Sequence, residues 1–220
     1  MLIKSIGVSI AFADTEVEMV QYLADKTAHY LAKDNEDVDV EVISYGYYLF
    51  YQEWVARIFA LLLALPFGLF FHVLVSIVVF DRIRKCAMGT HAKHPIICRI
   101  LTYTVWFGPA VLSVIFSLRF VPIVYIGLYA FSLVLLILYA PAETDVKKVP
   151  DVHMRKRLKI EAVCWMSGLF LIAVVLQGFG FAPDFSFVIV MTAVLACCMV
   201  HPWMYWINGF DPVTRELRAN

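Results

Sequence analysis

The chain has 220 residues, 62% of them hydrophobic, and a mean hydropathy of +0.78, which excludes an ordinary soluble domain. Its 18 basic and 18 acidic residues cancel, so the bulk charge argues against a nucleic-acid binder, and none is expected as a partner. The charge is nevertheless segregated. Residues 1–41 hold nine acids against three lysines, whereas residues 81–99 hold Arg82, Arg84, Lys85, Lys93 and Arg99 against Asp81 alone.

Taken in chain order, Lys4 and the apolar residues 6–13 resemble a signal peptide, but a core of about eight residues is too short and cleavage is not expected. Thr15 and Glu18 form a capping-box pattern. Val17, Val20, Leu23 or Ala24, Thr27 or Ala28, and Leu31 follow at helical spacing, which predicts an amphipathic surface helix over residues 15–33. A polar, acidic connector occupies 34–41. Residues 43–80 are mostly apolar over 38 positions, broken by Pro66 and Gly68. A single helix of that length would run about 57 Å, against a hydrocarbon core of roughly 30 Å, so two helices meeting near Pro66 are expected. Glu53 and Arg57, four apart, can neutralise each other on one face.

Beyond the basic segment, residues 101–120 and 121–140 form two more apolar runs that turn near Arg119 and Pro122. A second charged loop over 142–161 carries Lys147, Lys148, Arg155, Lys156, Arg157 and Lys159 against Glu143, Asp145, Asp151 and Glu161. Runs at 162–179 and 185–207 complete the pattern. The expected fold is therefore all-α: a polytopic helical membrane protein with about six transmembrane or re-entrant helices and an N-terminal amphipathic helix. The positive-inside rule places both basic loops and both termini in the cytoplasm of a multi-pass protein of the bacterial cell membrane, with the bilayer as its surroundings. Three regions follow: 1–41 as N-terminal helix and connector, 42–210 as the transmembrane domain, and 211–220 as a cytoplasmic tail. His72, inside an apolar run, is either a packed, hydrogen-bonded group or a neighbour of the site. The aromatic clusters at 45–51 and 203–206 read as interface belts.

Five cysteines, an odd number lying in or beside apolar runs, fit reduced thiols better than a disulfide framework. Cys98 stands apart from the others, four residues after His94 and seven after His91. Pro95 suits the first turn of a helix, and a helix starting there places Cys98 in its first turn. The helix N-terminus, Lys93 and Arg99 would then favour a thiolate. Spacing alone leans toward His94 as its base, an i,i+4 neighbour on a straight helix. His91 lies about 10.5 Å along such an axis and can serve only if the chain bends at Gly89 and before Pro95. Cys86, His91, His94 and Cys98 could instead be metal ligands, but C-x4-H-x2-H-x3-C is not a familiar zinc spacing, and no metal or other cofactor is expected. H-E-x-x-H, G-x-S-x-G and Walker A sequences do not occur.

Arg84, Gly89-x-His91 and Cys98, in that order, resemble the accessory gene regulator B (AgrB) family. Residues 139–145, Tyr-Ala-Pro-Ala-Glu-Thr-Asp, followed by Lys147, Lys148 and Pro150, resemble its second signature. The similarity covers roughly residues 40–210. One departure is Val149, which separates Lys148 from Pro150 where the family usually has Lys directly before Pro. The resemblance implies a membrane cysteine endopeptidase that trims a small (AgrD-like) signal-peptide precursor and helps cyclise it to a thiolactone or lactone for quorum sensing. It makes Cys98 the nucleophile and His91 the general base, with Gly89, Arg84 and His94 as supporting residues. Arg82, Lys85, Lys93, Pro141, Thr144, Lys147 and Lys148 are candidates for holding the precursor. It also implies a homodimer, although no strong small-x-x-x-small interface stands out. The competing class is a non-enzymatic peptide transporter or export scaffold, for which only His72, Gln177 and Gly178-x-Gly180 speak.

Overall fold

The structure, a computed structural model, describes residues 18–33, 39–89, 95–115, 121–142, 149, 151–180 and 182–207. The chain divides into two units, Met1–Leu62 and Leu63–Asn220. Among the described residues every regular element is a helix, and the only extended pairing is an isolated bridge.

In the first unit, helix α1 (18–32) buries Val20, Ala24 and Ala28, which recur one turn apart, and α2 (Val40–Ala64) begins after the acidic connector. Polar bonds link the two helices. Ser44 donates to Asp25, Gln21 Nε2 donates to Asp25 at 3.0 Å and lies 3.5 Å from Ser44 Oγ, and the Thr27 and Tyr51 hydroxyls are 2.9 Å apart. The Glu53–Arg57 pair forms at 3.1 Å, with the guanidinium 5.5 Å from the Trp54 ring centroid.

The second unit begins where α2 ends in a 3-10 turn, Leu65–Phe67, containing Pro66 and closed by Gly68 in the left-handed region at φ +67°. The expected break near Pro66 is therefore present. Five long helices follow among the described residues: α3 (Phe70–Ala87), α4 (Pro95–Val114), α5 (Pro122–Tyr139), α6 (Val152–Gly178) and α7 (Pro183–Cys198). Helix α7 is the centre, packed against α3, α4, α5 and α6, and its residues are buried almost all the way round. That is why it shows no polar face. Hydroxyls tie it to its neighbours: Ser186 Oγ donates to the Ala173 carbonyl at 2.8 Å, Ser113 Oγ to that of Asp184 at 3.0 Å, and Thr192 Oγ1 lies 3.2 Å from Ser76 Oγ. In an apolar environment such groups need protein partners, each bond contributing about 0.6 kcal/mol.

Three helices are long and apolar enough to cross a membrane, Val40–Phe67, Ile97–Val114 and Val152–Gly178, and two shorter apolar helices accompany them. Helix α3 falls outside that group because its last two turns carry Asp81, Arg82, Arg84 and Lys85. The molecule is thus a helical membrane protein.

Two boundaries differ from those read in the sequence. The charged stretch 142–161 is not one loop, since α6 starts at Val152. Asp151 caps it, accepting the backbone N–H of His153 at 2.9 Å and of Met154 at 3.3 Å, and Arg157 pairs with Glu161 one turn apart at 2.8 Å. The run 185–207 is likewise interrupted. Helix α7 stops at Cys198 and a short α8 (Pro202–Ile207) begins at Pro202, whose ring disfavours helix in the preceding residue. His201 Nδ1 accepts the Trp203 N–H at 3.2 Å and so caps α8.

Replacing Asp151 by Ala removes the only side-chain cap of α6. It should lower stability by about 1 kcal/mol, measured by thermal unfolding of the detergent-solubilised protein.

Candidate active site

The two segments that carry the motifs meet at the end of α3. Met88 and Gly89 both have positive φ, +60° and +118°, so the chain turns sharply as the helix ends. The turn pairs with the segment after α5. The Gly89 N–H donates to the Ala142 carbonyl at 3.1 Å and the Ala142 N–H donates to that of Ala87 at 2.9 Å, forming a parallel bridge between Met88 and Ala142. Met88, Ala140 and Ala142 are buried there, and the Ala140–Pro141 peptide is cis. Residues more than fifty positions apart are thereby joined through backbone atoms.

Gly89 has a further reason to be glycine. A Cβ at this position would lie 2.8 Å from Arg84 Nη1 and 3.2 Å from the Met199 carbonyl oxygen, and the φ of +118° is one that side-chain-bearing residues rarely adopt. Arg84 occupies that space. Its guanidinium is 3.7 Å from Met199 Sδ and 5.6 Å from the Phe80 ring centroid. Arg84, Gly89 and Met199, from the end of α3 and the end of α7, form one packed group behind the bridge.

The second segment is held from α6 as well. Lys159 Nζ donates to the Ile137 carbonyl at 2.7 Å in the last turn of α5, where helix carbonyls lack intrahelical partners, and Arg155 donates to the Val149 carbonyl at 3.2 Å. Val149, the residue that departs from the family pattern, is buried, so the extra position contributes to packing. Tyr139 at the end of α5 meets the His201 ring edge-on, with centroids 5.1 Å apart.

Helix α4 starts at Pro95, as expected, and Cys98 stands in its first turn, half-buried. All five cysteines are free. His91, His94 and Lys93 lie outside the described residues, as do Thr144, Lys147 and Lys148. Pro141 is described, and it is buried beside the bridge. Arg82 and Lys85 are not gathered with Arg84. They emerge from α3 toward α6, where Arg82 lies 5.3 Å from the Trp165 ring centroid. His72 also stands away from the motifs: about 18 Å of helix rise separates it from Arg84, and it stacks on Phe185 at 4.3 Å, with no hydrogen bond to Nδ1. Its ring thus packs by stacking, away from the motif segments.

Of the four metal-ligand candidates, Cys86 is engaged elsewhere, its Sγ 3.7 Å from Glu161 Oε2. Among the described residues no three His, Cys, Asp or Glu side chains gather as a metal site. Burial pushes the Cys86 thiol up from its usual range, and the Glu161 carboxylate pushes it the same way. Sequence reasoning missed Met199, Lys159 and Glu161. A glycine just past a helix end hinted at a left-handed cap, but nothing local to it pointed to a partner at Ala142 or Met199.

The chain is thus a helical membrane protein in which a turn at Gly89 is stitched to a distant Ala-Pro-Ala segment, with a half-buried cysteine at the start of the helix that follows. The family model described as accessory gene regulator B matches residues 22–201, and the chain belongs to that family. It is 28% identical over 142 residues to an AgrB-like protein of Clostridium perfringens, covering 62% of this chain and 65% of that one. It is 32% identical over 131 residues to the accessory gene regulator protein B of Staphylococcus carnosus, covering 59% and 66% respectively. An AgrB-like protein of Clostridium acetobutylicum is 30% identical over 112 residues, covering 50% of this chain and 51% of its own. The chain thus spans between half and two thirds of the length of these relatives. No solved structure matches it.

Two outcomes are expected. Gly89→Ala should cost about 1–3 kcal/mol of stability and speed hydrogen exchange at the Gly89 and Ala142 amides, read by mass spectrometry of the solubilised protein. Because the thiolate is the reactive form and the Cys86 thiol is pushed up, iodoacetamide should label Cys86 only at pH above the usual thiol range. Glu161→Gln, which removes one of the two causes, should move that labelling curve to lower pH.

Proposed function

We propose that this chain is a membrane cysteine endopeptidase acting at the cytoplasmic face, with Cys98 as nucleophile and His91 as general base. Its substrate is a small AgrD-like signal-peptide precursor destined for cyclisation in quorum sensing. The observation that carries the reading is the position of Cys98: a half-buried thiol in the first turn of α4, one short connector beyond the bridge that joins the two motif segments. Membership of the accessory gene regulator B family supports the same assignment. A His91–Cys98 pairing needs the chain to bend at Gly89 and again before Pro95, and the left-handed turn at Met88–Gly89 favours the first of these.

The chemistry runs in two balanced steps. His91 takes the Cys98 thiol proton as Sγ bonds to the scissile carbonyl carbon. It then delivers that proton to the amine as the C–N bond breaks, leaving a thioester on Cys98. A cysteine thiol within the acyl fragment then attacks the thioester carbonyl. Its C–S bond forms as the bond to Cys98 breaks, the proton returns to the Cys98 sulfur through His91, and a thiolactone results. One thioester replaces another, so little free energy changes hands, whereas water would dissipate it as a carboxylate. A site that excludes water therefore suits cyclisation. A substrate serine would give a lactone.

In this reading residues 42–210 form the peptidase domain, 1–41 the N-terminal helix and connector, and 211–220 a tail. Six crossings would place both termini in the cytoplasm, because both basic segments then face it. Lys93, Lys147 and Lys148 are the basic residues we assign to precursor binding, with Pro141 and Thr144 beside them, and a homodimer is the assembly the family resemblance implies.

The test is co-expression with the small peptide encoded beside the gene, following the precursor in membranes by mass spectrometry. Cys98→Ala and His91→Ala should each lower processing by about 10²–10⁴-fold or more, while His94→Ala leaves most of it. Processing that survives Cys98→Ala would sink the nucleophile and favour a transporter or export scaffold.

A further inference from the structure

The turn that leaves α3 is one a chain does not adopt unaided. Met88 has φ +60° and ψ −133°, and Gly89 follows at φ +118°, so only the second of two successive positive values falls on a glycine. A residue with a side chain persists in such a region only where its surroundings hold it there. One hold is the backbone pairing with Ala142. The other comes from a segment that neither motif contains, residues 199–201 at the end of α7.

Met199 meets this turn through both its backbone and its side chain. Its carbonyl oxygen would lie 3.2 Å from a Cβ on Gly89, and its Sδ is 3.7 Å from Arg84 Nη1, the atom nearest that same Cβ position at 2.8 Å. The guanidinium is thus confined between the Met199 thioether and the Phe80 ring, on the side of Gly89 where a side chain would stand. Met199 is buried, and its N–H donates to the Leu195 carbonyl at 3.3 Å, which fixes it to the central helix. Two residues further, the His201 ring meets Tyr139 edge-on with centroids 5.1 Å apart, while its Nδ1 accepts the Trp203 N–H. Tyr139 leads directly into Ala140, Pro141 and Ala142. One short stretch therefore touches both motif segments.

We infer that Met199 is a positioning residue for the general base: by clamping Arg84 against Gly89 it fixes where the chain carries His91. The inference rests on the reading of Cys98 and His91 as the reacting pair. Two residues of chain reach at most about 7 Å, so His91 cannot be placed independently of Gly89. A turn that relaxes by about 1 Å displaces the base with it, and misplacement on that scale costs about 10²-fold in rate. A thioether is only a weak acceptor for a guanidinium N–H but fills irregular space well. The clamp therefore works by shape, so leucine should replace Met199 and alanine should not.

The experiment uses the full chain with two readouts: processing of the co-expressed precursor in membranes, and the rate at which iodoacetamide alkylates Cys98 near neutral pH, followed by mass spectrometry. Met199→Ala should lower processing about 10²-fold and should slow Cys98 alkylation as His91→Ala does. Met199→Leu should restore most of both. In the His91→Ala background Met199→Ala should slow alkylation no further, because the group through which it acts is gone. Ile189→Ala, a buried truncation of similar size about 15 Å of helix rise back along α7, controls for folding. It should lower the melting temperature and leave Cys98 alkylation at the parent rate. Parent-like processing and alkylation in Met199→Ala would overturn the inference while leaving His91 in place. So would an equal further loss in the His91→Ala background, or equal slowing by Ile189→Ala, either of which would reduce Met199 to a support of the fold. If His91→Ala itself changes neither readout, the base assignment fails and this inference fails with it.

Discussion

The burial of α7 on every side is the constraint from which the rest of this molecule follows. A helix enclosed by four neighbours cannot shift without disturbing all of them, and its hydroxyls at Ser186 and Thr192 have partners on α6 and α3. Its last turn then delivers Met199 to a definite place, against Arg84 and over the open side of Gly89. The turn leaving α3 is thus shaped from behind by the central helix and from the side by Ala142. Packing at the middle of the domain is converted into backbone geometry at its charged end.

That end is assembled almost wholly from backbone hydrogen bonds and long cationic side chains. Gly89 and Ala142 exchange bonds with each other's segments, Lys159 satisfies a terminal carbonyl of α5, and Arg155 satisfies Val149. Helix ends in an apolar environment carry carbonyls that must find donors. The basic residues of α6 therefore do two things at once: they mark the polar side of the membrane, and they fasten the segment on which the second motif lies.

Two thiols near this end, one buried and one half-buried, stand in different environments. Cys86, in the last turn of α3, is enclosed and faces a carboxylate, both of which disfavour the thiolate. Cys98, at the opposite polarity of a helix, sits at an N-terminus and is more open. The same side chain is thus enclosed at the end of one helix and half-buried at the start of another.

Local sequence was enough to determine the all-α class, the break at Pro66, the Glu53–Arg57 pair, the start of α4 at Pro95 and hence the place of Cys98 in its first turn, because hydropathy, proline and i,i+4 spacing act over a few residues. It misjudged the charged stretch before α6, where the Asp151 cap let helix extend through basic residues, and the end of α7, where Pro202 broke an apolar run that hydropathy treats as continuous. The motif order marked Arg84, Gly89, Pro141 and Cys98 as belonging together, but not how. Only the tertiary structure decided that Gly89 pairs with Ala142 and is pressed by Met199, that Arg82 and Lys85 turn toward α6 rather than toward Arg84, and that His72 lies at the far end of α3. Those outcomes depend on which helix faces surround α7, and contacts between residues fifty or a hundred positions apart leave no periodicity in the chain that makes them.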